Sequence, residues 1–403
     1  MYADESSHSG PPSPDEQDFS LVLGGPLFQM FRGAHLCDDA LGLLRRRIVF
    51  FALVGWLPLL IFTAVDGQML GGTASIPFLK DIETHLRLLV TVPLLVGAEL
   101  VVHQRMRLVA SSFLDRGLIP DRERSRFDAA IALALRLRNS TLAEILLLAA
   151  VYTVGVLVIW RHFLALDTGT WYATPSAEGP RLSMAGMWYT YLSLPLSQFL
   201  LLRWYYRLVI WARLLWQISR IELHLVPTHP DRTGGLGFLA QVVYAFVPVL
   251  IAQGVLVTGH LANRILYMGA HLFEFKIEIV VVVAVLLCLF TGPFLVFTPQ
   301  LARTRRKGLR EYGTLAGHYV REFDVKWVRG GAPAEESLLG TADIQSLADL
   351  ANSLEVVRTM RPWFITKEMA VILTVAVVGP MVPLTLTIMP LTELLKTAAS
   401  MLL

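Results

Sequence analysis

The sequence predicts an all-α fold: a polytopic transmembrane helical bundle of about seven spans with a cytoplasmic helical domain. Three observations carry that expectation. Of 403 residues, 54% are apolar and 17% are charged, where soluble chains carry about 25% charge. Seven stretches approach the roughly 20 mostly apolar residues needed to cross a bilayer: 48–66, 86–102, 141–160, 184–203, 238–262, 274–298 and 366–390. Basic residues also alternate between the connections. Twenty-six Lys or Arg lie before the first span and in 103–140, 204–237 and 299–365, against five in 67–85, 161–183, 263–273 and the tail from 391. Cytoplasmic loops retain Lys and Arg, so the N-terminus reads as cytoplasmic and the C-terminus as outside.

In chain order, residues 1–19 hold five acids and no Lys or Arg, which reads as a disordered acidic tail and not as a secretory leader. Residues 20–298 form the membrane domain of six spans. Its arginine-rich loop 103–140 reads as helical on both sides of a Gly117 to Pro120 turn, extending the second span inward. Residues 299–365 form the cytoplasmic helical domain, with stretches at about 300–327 and 342–360 separated by GGAPAEES. In the second stretch Ile344, Leu347, Ala351, Leu354 and Met360 recur at helical steps. That face packs either on the protein's own cytoplasmic domain or on a neighbouring subunit. Residues 366–403 supply the last span and an outer tail. Cys37 and Cys288 fall in different environments, so neither a disulfide nor a Cys-rich metal framework is expected.

The stretch 228–239, THPDRTGGLGFL, invites a phosphate or metal reading. It has no Gly-Lys-Ser/Thr and no preceding strand, so it matches neither recognised nucleotide pattern. A metal would recruit His224, His229 and Asp231, but no further His or Cys cluster completes a zinc set, and no metal site is expected. Two readings stay open. Pro230 stops a helix, Asp231 or Thr233 caps the next one and the glycines turn the chain. Alternatively, amides around Gly234 and Gly235, with His229, Asp231 and Arg232, receive an anion such as a lipid phosphate.

Arg203 and Arg207 are further candidates for an anion or lipid phosphate. With a span starting at Met184 they sit at the inner boundary and snorkel; with a start at Pro195 they lie at mid-depth, where charge is normally functional. Glu99 lies near the inner boundary or points into a cavity. Glu274 and Glu278 share a face at the outer start of the sixth span, serving its helix dipole or a cation-attracting mouth. Prolines interrupt six of the seven spans, and Gly292-Pro293 and Gly379-Pro380 mark the sixth and seventh as broken helices of the kind that line pathways.

The runs LLWQISRIELHLVPTHPDRTGGLGFL and ADIQSLADLANSLEVVRTMRP resemble a recurring group of uncharacterised multi-spanning bacterial inner-membrane proteins. The resemblance spans about the C-terminal half. It implies a bacterial inner membrane, and it carries no activity and no site residues. The expected function is a channel or transporter for a small ion or solute, with the pathway along 274–298 and 366–390 and through Glu99. The alternatives are a membrane sensor or scaffold acting through the 299–365 helices and a lipid-acting membrane enzyme. No catalytic motif such as G-x-S-x-G occurs, no cofactor is indicated, and the expected partners are the bilayer, its anionic headgroups and a second copy of the chain, with no nucleic acid.

Overall fold

The computed structural model describes residues 19–26, 29, 44–72, 74–155, 170–174, 181–333, 335–338 and 340–387. Nine helices dominate these residues: α1 Leu44–Val65, α2 Ile82–Asp115, α3 Arg124–Arg138, α4 Thr141–Gly155, α5 at 184–218, α6 Phe238–Met268, α7 Leu272–Val328, α8 Ala342–Thr359 and α9 Lys367–Thr387. One short antiparallel pair, Ala173–Thr174 with Arg181–Leu182, joins them. Among the described residues, five helices are long and apolar enough to cross a membrane: α1, α2, α6, α7 and α9. The described part of α4 is shorter, and the apolar character of α5 is diluted by Arg203, Arg207 and Arg213.

Prolines shape the helices, and neighbouring side chains take up the carbonyls they free. Pro58 cannot donate to Val54, and the Trp188 Nε1–H occupies that carbonyl instead at 3.1 Å. Pro195 likewise frees Tyr191, whose carbonyl accepts from the Tyr152 hydroxyl at 2.9 Å. Such substitution is what allows proline inside spans, where no bulk water serves the backbone. Two prolines also follow π-helical turns, Leu86–Thr91 before Pro93 and Tyr189–Ser193 before Pro195. Gly292-Pro293 and Gly379-Pro380 open 3-10 segments in α7 and α9.

The helix α6 is the core of the bundle, with 67% of its apolar stretch buried against 17% for α7. It packs on α2 and α9, while α2 also meets α1 and α5. Phe246, Phe290, Phe294, Phe297 and Trp211 fill the space between α5, α6 and α7. The chain enters this core earlier than the sequence indicates: Phe19, Leu21 and Val22 are buried, and the Ser20 hydroxyl lies 3.0 Å from His103 Nδ1 on α2. Phe19 therefore belongs to the folded body, and the rest of the acidic tail, Cys37, residues 156–169 of the third span and its loop, and the tail from 391 lie outside the described residues.

Residues 103–140 are helical on both sides of a turn at Gly117, whose φ is 62°. The sixth span and the first helix of 299–365 are one continuous helix, α7, and α8 packs along its distal half. Its contact face differs from the expected one. Leu347, Leu350, Leu354, Val357 and Met360 are wholly or partly buried, whereas Ile344 and Ala351 are exposed. The contact row steps through Leu350 and Val357, and that leaves Ile344 and Ala351 at its exposed edge.

Candidate functional site

At one end of the bundle a cavity of about 290 Å³ opens between the start of α2, the first turns of α5 and the end of α6. Pockets for drug-sized ligands begin near 300 Å³, so this one suits a small solute. Its wall is polar. Arg87 donates to the Tyr189 hydroxyl at 2.7 Å and to Glu83 Oε1 at 2.5 Å, and His260 Nδ1 lies 3.6 Å from Glu83 Oε2. Asp81 accepts from Trp171 Nε1, Asn263 Nδ2 and the Thr84 hydroxyl, at 2.8, 2.8 and 2.7 Å. Tyr172 stacks on Tyr189 with ring centroids 5.8 Å apart. Burial pushes the Tyr172 phenol up, so it stays a neutral donor and acceptor.

Local backbone geometry builds this pocket. Arg87 and Tyr189 each sit in a π-helical turn, and the two turns face one another through their hydrogen bond. Single π-helical turns re-aim side chains and recur at functional sites. Gly259 on α6 lets the start of α2 approach closely: a Cβ there would stand 3.0 Å from the Glu83 Cα. Without that approach His260 would not reach Glu83.

Polar groups continue inward from the pocket on the three helices that form it. Asn263 Oδ1, Thr190 Oγ1, Thr91 Oγ1, Gln198 Oε1 and Gln253 Nε2 are buried with no hydrogen-bond partner among the described residues. At 1.5 Å per residue they lie at about 8, 9, 14, 21 and 23 Å from the pocket ends of their helices. The series ends in a buried charge cluster at about 26–35 Å. There Glu99 accepts from Arg47 Nη2 at 2.5 Å, Arg207 Nη2 at 2.8 Å and Arg203 Nη1 at 3.3 Å. Glu144 Oε1 lies 3.4 Å from Arg203 Nε, and Arg207 lies over the Trp204 ring at 4.8 Å. Four helices, α1, α2, α4 and α5, thus contribute charge to one buried spot.

The structure brings Glu99, Arg203 and Arg207 together. The two arginines sit in the middle of the helix that runs from Met184 to Ile218, and their side chains are buried, at 7% and 4% exposure, and do not snorkel. The anion they meet is the protein's own carboxylate. The glycine loop behaves similarly. Asp231 Oδ1 accepts from the Thr233 and Gly235 amides at 2.8 and 3.2 Å, and Oδ2 from the Gly237 amide at 2.8 Å. His229 Nδ1 lies 2.9 Å from Asp231 Oδ1. Burial works to raise the Asp231 carboxyl, but these three amides and His229 outweigh it and hold the group below the usual carboxylate range. The amides expected to receive an external anion are filled by Asp231.

Arg232 has a left-handed φ of 57°, and its carbonyl accepts from the Arg361 amide at 2.7 Å. Gly234 and Gly235 also have positive φ, 67° and 100°, and a Cβ on Gly234 would stand 3.2 Å from Met360 Cε. The two motif runs of the second half of the chain are therefore one junction: the loop docks the end of α8.

The residues expected along α7 and α9 stand apart from this arrangement. Glu274 caps its own helix in a capping box with His271, and Glu278 is exposed. Gly292 and Gly379 have no atom within 4 Å of a Cβ position, so neither Gly292-Pro293 nor Gly379-Pro380 serves a close backbone approach. That approach occurs at Gly254, where a Cβ would meet the Val377 carbonyl. The sequence reading missed Asp81, Glu83, Arg87, Tyr189, His260 and Asn263. Arg87 lay within the expected span 86–102, and an ionisable residue inside a span is a functional signal in its own right.

No family model, no curated protein and no solved structure matches the chain.

Proposed function

We propose that this chain is a seven-span inner-membrane transporter for a small polar solute or ion. The carrying observation is the series of buried side-chain polar atoms without a hydrogen-bond partner among the described residues, running from the Glu83–Arg87–His260 pocket toward the Glu99 cluster. In an apolar medium each such group costs on the order of 1–3 kcal/mol without a partner, and a hydrated or solute-bearing route between α2, α5 and α6 supplies one. Adding α4 and α5 to the five apolar helices makes seven crossings, and the 26-to-five division of basic residues supports a cytoplasmic N-terminus and an outer C-terminus. The Glu83–Arg87 pocket then faces outside. Its adjacent opposite charges favour a zwitterionic solute, whose two ends each find a counter-charge.

Reconstitution tests this reading. Purified protein in liposomes should conduct or take up at least one of potassium, protons, chloride and radiolabelled small amino acids. Arg87→Gln and the milder Tyr189→Phe should both reduce that flux without altering the gel-filtration profile. Absence of flux for the whole panel, or flux indifferent to both substitutions, would overturn the proposal.

A further inference from the structure

A larger cleft lies at the opposite end from the pocket. It has a volume of about 1150 Å³ and runs between the end of α5, the segment 219–227 and the face of α7 that follows Pro299. Arg303, Arg306 and Arg310 project from successive turns of α7, and Arg220 faces them from beyond α5. The two acids on its rim are already engaged: Glu222 with Arg122 at 2.5 Å, and Glu311 with Lys307 at 3.9 Å. Arg220, Arg303, Arg306 and Arg310 have no acidic partner among the described residues, and Arg220 lies over the Trp216 ring at 5.0 Å. Like charges gathered in a cleft with low-dielectric walls focus a positive potential and concentrate anions.

The cleft is preformed and lies beside the apolar part of the chain. Gln300 donates to the Ser219 and Ile221 carbonyls at 2.8 and 2.6 Å, which ties its two walls together. Its upper edge is Val296 and Pro299, the last residues of the apolar run of α7, and the half-exposed Trp216 stands on its rim. Tryptophan with arginine at the end of an apolar run is the composition of a membrane–water interface. From this geometry we infer a binding site for a ligand carrying several phosphate charges, either an anionic phospholipid headgroup reached from the bilayer or a free polyphosphate. Bidentate guanidinium–phosphate pairing favours arginine over lysine for that chemistry, and three of the four unpaired arginines come from one helix face.

Two probes separate the sources. Inorganic tripolyphosphate is titrated into detergent-purified protein, and phosphatidylcholine nanodiscs with and without cardiolipin are assayed for lipid retained on the protein. Wild type should bind at least one of them. The triple variant R303Q/R306Q/R310Q should bind it about 100-fold more weakly, at roughly fivefold per basic residue. The charge-matched triple R105Q/R107Q/R213Q, whose arginines are exposed outside the cleft, should bind as wild type does. Retention of cardiolipin alone assigns a lipid site, and binding of tripolyphosphate alone assigns a soluble ligand. Failure of wild type to bind either, equal losses in both triples, or tighter binding of a single-stranded RNA oligonucleotide than of both phosphate probes would overturn the site.

Discussion

Replacing Glu99 by Gln removes the one carboxylate that Arg47, Arg203 and Arg207 share, while keeping its shape. The side chain is 4% exposed, and its oxygens accept from three guanidiniums at 2.5, 3.3 and 2.8 Å. Glutamine offers one acceptor, and its amide turns an N–H₂ toward the same donors. Arg203 retains Glu144 at 3.4 Å on its other side. Breaking a buried pair by removing one partner costs about 3–5 kcal/mol, because the other charge is left uncompensated. Because that carboxylate meets three guanidiniums at once, a loss toward the upper end is expected. At roughly 2 °C per kcal/mol for a large chain, the melting midpoint should fall by about 10 °C. Thermal unfolding of the purified protein in one detergent, followed by size-exclusion fluorescence, measures this. Adding Arg47→Met to Glu99→Gln should restore part of the loss, since the double variant removes a cation along with its anion. A Glu99→Gln midpoint close to wild type would refute the reasoning and mean that the arginines are solvated.

Other outcomes are expected elsewhere. Asp231→Ala leaves the Thr233, Gly235 and Gly237 amides without their acceptor and should cost about 2 kcal/mol, seen as faster hydrogen exchange in both 228–237 and the docked 357–362. The Asp231 carboxyl is depressed in the fold, so its stabilisation is present above the ordinary carboxylate value of about 3.9 and is lost as pH falls through the lower folded value. With the intrinsic exchange rate divided out, the protection of these amides should therefore fall in wild type on strong acidification and show no such step in Asp231→Ala. Gly254→Ala should destabilise by about 1–3 kcal/mol, because the new Cβ forces α6 away from the Val377 carbonyl of α9. Gly292→Ala and Gly379→Ala, where a Cβ meets open space, should leave the melting midpoint unchanged.

The positions of the helices are legible in the sequence because long apolar runs have few alternatives. All seven expected spans fall on helices in their described parts, and five of those helices qualify as membrane-crossing by length and composition. The turn at Gly117 and the breaker before α8 are equally plain from Gly and Pro chemistry. The site was less legible. Glu83 and Arg87 are one turn apart on α2, but His260 lies far along the chain on α6, and each looks like an ordinary boundary charge until the two helices are brought together at Gly259. The proline signal was visible at Pro93 and Pro195, but sequence alone does not say that a helix will widen into a π turn before them, or that the two turns will face each other. Arg203 and Arg207 stand out in the sequence as charges within or beside an expected span. Their partner, Glu99, lies 104 and 108 residues away, and no local pattern links them.

The most direct measurement is aqueous accessibility of single cysteines placed in a Cys37→Ser, Cys288→Ser background. Thr91→Cys on α2 and Gln253→Cys on α6 are buried positions, and both should react with a small membrane-impermeant methanethiosulfonate. Val285→Cys, exposed on α7, should not react, because the proposed arrangement sets that face against lipid. Reaction at Gly292→Cys and Gly379→Cys, with none at Thr91→Cys or Gln253→Cys, would contradict a route between α2, α5 and α6 and return the pathway to α7 and α9.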